Sequence, residues 1–109
     1  MRRESERLED ILDAIAKIEE KTNTSLDNFL DDEMLQVWVL HHLQIIGEAS
    51  NKLSPQLQQK NLQIPWSQIV ALRNIIVHEY FQVDLEDIWQ IVKRDLATLK
   101  QQIKSILGK

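Results

Sequence analysis

Between Glu33 and Leu53 the chain carries Met34, Leu35, Val37, Trp38, Val39, Leu40, Leu43, Ile45 and Ile46. At about 100° per residue, these side chains point in nearly every direction around a helix. A helix that is apolar all round has to be buried all round. The segment is therefore expected to run through the middle of the molecule, with other helices laid against it. A chain of 109 residues buries roughly two-thirds of the surface its unfolded form exposes. That margin is modest for a helix with no polar face. The central helix is therefore also expected to contribute to a dimer interface. Gly47 lies inside it, at a cost of about 1 kcal/mol of helix propensity relative to alanine. It is expected to mark a close approach by another helix or a ligand.

The remaining segments supply the covering helices by their apolar spacing. From about Arg3 to Glu20, Leu8, Ile11, Leu12, Ile15 and Ile18 form one stripe opposite a charged face. Thr22-Asn23-Thr24-Ser25 interrupts the pattern, and a short helix, Leu26 to Leu30, follows. Asp31 or Asp32 can cap the central helix, because a short carboxylate accepts from the open amides of a first turn. Ser54-Pro55 reads as a cap followed by proline at the first helical position, predicting a short helix to about Lys60. Ile64-Pro65 starts another helix, carrying Trp66, Ile69, Val70, Leu72, Ile75 and Ile76 and ending near Tyr80. Asp84 can cap a last helix, with Asp87 three residues on where a capping box places Glu or Gln. That helix runs through Ile88, Ile91, Val92, Leu96, Leu99, Ile103 and Ile106, with Lys100, Lys104 and Lys109 toward its end as the helix dipole favours.

Strand signals are absent, and only two glycines and two prolines interrupt the chain. The expected fold is all-α: a bundle of four long or medium helices with additional short ones, in a single domain over residues 1–109. No cysteine is present, which excludes a disulfide framework and thiolate chemistry. The charged N-terminus has no apolar stretch behind it and does not read as a signal peptide. No stretch approaches the length of a membrane span. A cytoplasmic protein is expected. The formal net charge of −4 counts against broad, non-specific RNA binding by the whole surface. It leaves room for a small local positive site.

No glycine-rich phosphate loop and no Gly-x-Ser-x-Gly elbow occurs. His78-Glu79 lacks a second histidine at zinc-protease spacing, and His41 and His42 point about 100° apart on a helix. No metal site is expected. What remains is Arg73-Asn74-Ile75-Ile76-Val77-His78-Glu79-Tyr80, which puts an arginine, an imidazole and a phenol near one helix end. Arg73 and Tyr80 are seven residues apart and would share a helical face. His78 is about 140° around from Arg73 and roughly 7.5 Å along. From a straight helix the pair cannot grip one small atom, but it can line two walls of a groove. Arginine offers phosphate a fork of donors and stays charged. Neutral imidazole can take a proton from a ribose hydroxyl near pH 7.

Arg73-x4-His78 matches the Arg-x4–6-His signature of HEPN-domain ribonucleases, and Arg73-x4-His78-x-Tyr80 resembles the HepT toxin family within them. Further segments agree in order. Ile45-Ile46-Gly47-Glu48-Ala49 resembles the family's Ile-Gly-Glu-Ala segment. Ile64-Pro65-Trp66 resembles the Pro-Trp opening of its motif helix. Tyr80-Phe81, Val83-Asp84 and Trp89 resemble its continuation. The similarity covers roughly Leu8 to Leu99.

The resemblance implies a homodimeric HEPN-type bundle in which the motif helices of both copies face a shared cleft. It implies a metal-independent endoribonuclease that needs no cofactor and leaves a 2′,3′-cyclic phosphate and a 5′-hydroxyl. Arg73 and His78 would be catalytic. Arg73 would hold the scissile phosphate, and His78 would act as general base on the 2′-hydroxyl. The implied partner is a nucleotidyltransferase antitoxin, MntA, that transfers AMP to the tyrosine matching Tyr80. Bulky negative AMP there would fill the cleft and repel RNA.

Two further residues are supporting candidates. Asn74, one turn before His78, would orient the imidazole or contact RNA. Glu48 would tune His78 or contact the antitoxin, unless it is an ordinary surface carboxylate. His41 and His42 read as packing residues. Trp38, Trp66 and Trp89 read as core and interface anchors, and the C-terminal lysines as a solvated face. The alternative from another class is a non-catalytic nucleotide-binding or scaffold subunit beside a nucleotidyltransferase, in which Arg73 holds a nucleotide phosphate. A helical dimerisation module is a third reading.

Overall fold

The computed structural model describes residues 3–109. Helix α1 (Glu4–Lys21) is followed by α2 (Leu26–Asp31), α3 (Glu33–Asn51), α4 (Pro55–Lys60) and α5 (Trp66–His78). A 3-10 turn, Tyr80–Gln82, leads into α6 (Leu85–Gln90), a π-helical stretch (Ile91–Asp95) and α7 (Leu96–Leu107). No strand occurs among the described residues, so the chain is an all-α bundle. No helix there is long and apolar enough to cross a membrane.

The caps explain the boundaries. Asp32, rather than Asp31, caps α3 by accepting from the Leu35 amide at 3.0 Å. Ser25 caps α2 and Ser54 caps α4, each accepting at 3.1 Å from the amide three residues on. Asp84 caps α6 by accepting from the amides of Glu86 (2.9 Å) and Asp87 (3.2 Å). Each side chain satisfies an amide that lacks a partner in the first turn. At the far end, Gly108 takes the left-handed conformation (φ 76°) that closes α7, a conformation glycine adopts without steric cost.

Helix α3 is central, as its sequence predicts: α1, α2 and α5 all pack on it. Its Val39, Leu40, Leu43 and Ile46 join Leu8, Ile11, Ile15 and Ile18 of α1 and Ile88, Leu96 and Ile103 of the last helices in one apolar core. Burial all round is not complete, however. Met34 is 84% exposed and Val37 is 49% exposed. One side of the first two turns of α3 stays uncovered, while Leu35 and Val39 on the other side are buried.

The last helix departs from expectation in its middle. Its apolar positions 88, 92 and 96 are spaced by four residues. In a regular α-helix such steps drift around the axis by about 40° each. The π-helical stretch Ile91–Asp95 widens the turn there, so Ile88, Val92, Leu96 and Leu99 all stay buried. Lys100 pairs with Glu19 of α1 at 3.0 Å, and Lys109 pairs with Glu9. These lysines bind α7 to α1 rather than standing free.

The tryptophans anchor the core edges. Trp66 and Trp89 are buried. Trp89 stacks on Phe29 with centroids 4.9 Å apart, and Lys93 lies 4.8 Å over the Trp89 ring. Half-buried Trp38 donates its indole N–H to the Lys17 carbonyl at 2.9 Å, joining α3 to α1.

Candidate functional site

Helix α5 packs mainly on α3, and at Gly47 the two lie too close for a side chain between them. A Cβ built there would lie 2.3 Å from Arg73 Cβ, 2.9 Å from Arg73 Cγ and 3.3 Å from the Ile69 carbonyl oxygen. No real side chain fits. Glycine is required because the base of the Arg73 side chain occupies the space a methyl would take. The close approach expected of Gly47 is thus an approach to the motif arginine itself.

Seated in this notch, Arg73 is held from two sides. Its Nη1 donates to Asn74 Oδ1 at 3.0 Å. Its Nη2 donates to Glu48 Oε1 at 3.5 Å across the helix pair. The same Glu48 oxygen accepts from Gln44 Nε2 at 3.1 Å, one turn earlier on α3. The Arg73 Nε–H is buried and has no hydrogen-bond partner. A buried donor left unmade is costly, and it lies on a guanidinium that already faces a carboxylate.

His78 closes α5, where a basic side chain suits the negative end of the helix dipole. It is exposed. The Glu79 amide donates to the Ile75 carbonyl at 2.8 Å, and Glu79 then leaves the helix at φ −135°, ψ 45°.

This end comes two residues before Tyr80, which corrects one expectation. Tyr80 opens the following 3-10 turn and does not share an α-helical face with Arg73. The chain has to turn here to bring α6 back onto α2. The Tyr80 ring is 42% exposed and meets the Phe81 ring edge-on at 5.6 Å. Phe81 itself is 99% exposed. Both border a surface recess toward Leu30, Gln36 and Leu40.

The supporting candidates are placed as follows. Asn74 engages Arg73 rather than the imidazole. Glu48 likewise faces Arg73. Gln44, which steadies Glu48, is a residue that sequence reasoning missed; its four-residue spacing from Glu48 was the available signal. His42 is buried, with Nδ1 at 2.8 Å from the Trp38 carbonyl. Its ring meets that of exposed His41 edge-on at 5.0 Å. This fits the packing role. Among the described residues, no three His, Cys, Asp or Glu side chains gather where they could hold a metal ion.

The arrangement offers a held, permanently charged fork on α5 and an exposed imidazole at the end of the same helix. That combination can bind a phosphodiester and take up a proton next to it.

The chain is similar to known proteins. Residues 11–106 match the family described as ribonuclease HepT-like. The protein named "Probable ribonuclease HepT" in Thermococcus cleftensis is 37% identical over 100 residues, which is 91% of this chain and 91% of that protein. A Methanocaldococcus jannaschii protein provisionally named an RNase is 34% identical over 100 residues, 91% of this chain and 92% of that protein. A longer protein of the same organism, named a gamma-glutamylcyclotransferase and provisionally an RNase, is 38% identical over 101 residues. Those residues are 92% of this chain but only 46% of that protein. No solved structure matches significantly. With its bundle, its glycine notch and its Arg-x4-His helix, the chain belongs to the HepT-like ribonuclease family.

Proposed function

We propose that the chain is the toxin of a toxin–antitoxin pair: a metal-independent endoribonuclease that cuts cellular RNA with Arg73 and His78. The observation that carries this reading is the seating of Arg73 in the Gly47 notch, between Asn74 and Glu48. A side chain fixed at its base and bonded at its tip is pre-organised, and little entropy is lost when it takes up phosphate.

In the reaction, His78 removes the proton of the ribose 2′-hydroxyl. The 2′-oxygen attacks the adjacent phosphorus, the bond to the 5′-oxygen breaks, and that oxygen leaves with a proton from water. The products are a 2′,3′-cyclic phosphate and a 5′-hydroxyl. Arg73 binds the phosphate and answers the charge that grows on its oxygens during attack. No step asks for a metal ion.

A homodimer completes the cleft. Helix α5 is covered mainly by α3, and Ile75 and Val77 stay 39% and 38% exposed on it. These two side chains point about 160° apart, so a second copy laid against α5 would cover one flank of it and set two Arg73–His78 pairs across one groove. The half-exposed Tyr80 phenol is the acceptor for AMP from a nucleotidyltransferase antitoxin, and the adenylate would block RNA entry beside His78.

The test is expression of the wild type and of Arg73→Ala and His78→Ala in bacteria, followed by cleavage of purified RNA with and without a chelator. Growth arrest and chelator-resistant RNA cutting by the wild type alone are expected. Intact RNA with all three proteins would refute the reading.

A further inference from the structure

A groove of about 650 Å³ runs between the end of α3, helix α4 and the first turns of α5. Its volume falls within the roughly 300–1,000 Å³ of small-molecule sites. Its lining is unusual for this chain. Charged residues make up 28% of the sequence, yet none lines the groove. Four carboxamides do: Asn51, Gln58, Gln59 and Asn74. Pro55, Leu62, Pro65 and Val70 supply apolar walls, and the floor is the buried Ile64 and Trp66.

Each amide side chain offers a donor and an acceptor side by side. That pair matches the edge of a nucleobase, a planar and uncharged group with donors and acceptors on its rim. An anion would find no cation here. The Trp66 indole N–H is already spent on the Gln58 and Asn61 carbonyls, at 3.2 and 3.1 Å, so reading falls to the amides. Asn51, Gln59 and Asn74 are exposed; Asn74 keeps its amide N–H donors while its Oδ1 accepts from Arg73.

The groove also lies in register with the site. Ser67, Ala71 and Asn74 line it, and these three share one stripe of α5 with His78, within an arc of about 60°. His78 is about 6 Å beyond Asn74 along the axis. Asn74 belongs to both places: its Oδ1 holds the Arg73 guanidinium while its side chain borders the groove. A phosphate on Arg73 would therefore put the neighbouring nucleotide at the groove's mouth.

We infer that this groove binds an unpaired nucleobase of the RNA, next to the scissile phosphate, and that Asn51, Gln59 and Asn74 set the base preference. The inference rests on the ribonuclease reading for its substrate, but its test does not need cleavage. The probe is a mixed-sequence hexanucleotide carrying 2′-O-methyl groups, which cannot be cut. Side-chain amide resonances of the full-length 15N-labelled chain are followed during titration.

The oligonucleotide is expected to shift the amides of Asn51, Gln59 and Asn74, while inorganic phosphate leaves those of Asn51 and Gln59 in place. Ala71→Trp, which fills the groove from an exposed position, should weaken binding about tenfold with unchanged helix content. The Asn51→Ala/Gln59→Ala double variant should bind oligonucleotides of different base composition more evenly than the wild type does. Failure of the oligonucleotide to bind, binding that leaves these amides unmoved, or wild-type affinity and preference in both variants would overturn the inference. Groove binding without any RNA cutting would count against the ribonuclease reading alone, and cutting without groove binding against this inference alone.

Discussion

Gly47→Ala isolates the α3–α5 contact. The added methyl would lie 2.3 Å from Arg73 Cβ, against about 3.4 Å for ordinary van der Waals contact. Arg73 Cβ is tied to its own backbone, so no rotamer change relieves the clash, and α5 has to move by about 1 Å. Overpacking of this kind costs roughly 1–3 kcal/mol. Alanine in a helix interior returns about 1 kcal/mol relative to glycine. The net loss is then roughly 0–2 kcal/mol, small against the roughly 5–15 kcal/mol that hold a typical domain together. The variant should fold. Activity should suffer far more, because a displacement of about 1 Å at a catalytic group can cost about 10²-fold. Urea unfolding and RNA-cleavage kcat/KM measured on the same preparation separate the two effects. A Gly47→Ala protein that cuts RNA like the wild type and is about 1 kcal/mol more stable would refute the steric argument.

Arg73→Lys keeps the charge but loses the fork that reaches Asn74 and Glu48 together; kcat/KM for RNA should fall by about 10²-fold while the melting temperature stays near that of the wild type. Asp32→Ala removes the cap on α3 and should cost about 1 kcal/mol in urea unfolding without altering cleavage per folded molecule. Gly108→Ala forces a Cβ into a left-handed position and should lower stability by about 1 kcal/mol, again read by urea unfolding. Glu4 accepts from the Ser54 amide at 2.6 Å, and this bond holds its carboxyl below the usual carboxylate range. Its contribution is complete above the unfolded-state value and is lost as pH falls through the lowered folded value. The melting-temperature gap between wild type and Glu4→Gln should therefore be present at pH 7 and close toward pH 3.

Much of the molecule follows from local chemistry along the chain. Apolar spacing located every long helix, because one buried face per helix is a local periodic demand. Short carboxylate and hydroxyl side chains marked the starts of α3, α4 and α6 by satisfying amides within the same turn. The residue types of Arg73-x4-His78 suit phosphodiester chemistry, the ribonuclease reading itself coming from the family resemblance, and Gly47 could be read as a close approach from its cost within a helix.

Other features depended on residues far apart in sequence. Which group approaches Gly47 is settled by the packing of α5 on α3, which puts Arg73 there. The pairing of Glu48 with that arginine, 25 residues on, rather than with His78, comes from the same crossing. The π-helical stretch answers the need to keep Ile88, Val92 and Leu96 on one core, a demand a regular helical reading does not register. Tyr80 leaves the motif helix because the chain must return α6 to α2, and a return path belongs to the whole bundle. By itself, then, the sequence determined the helices, their caps and the residue types of the site, all set by interactions within a few turns. The tertiary structure alone decided how Arg73 is held and what stands beside it, because those contacts exist only once two helices cross.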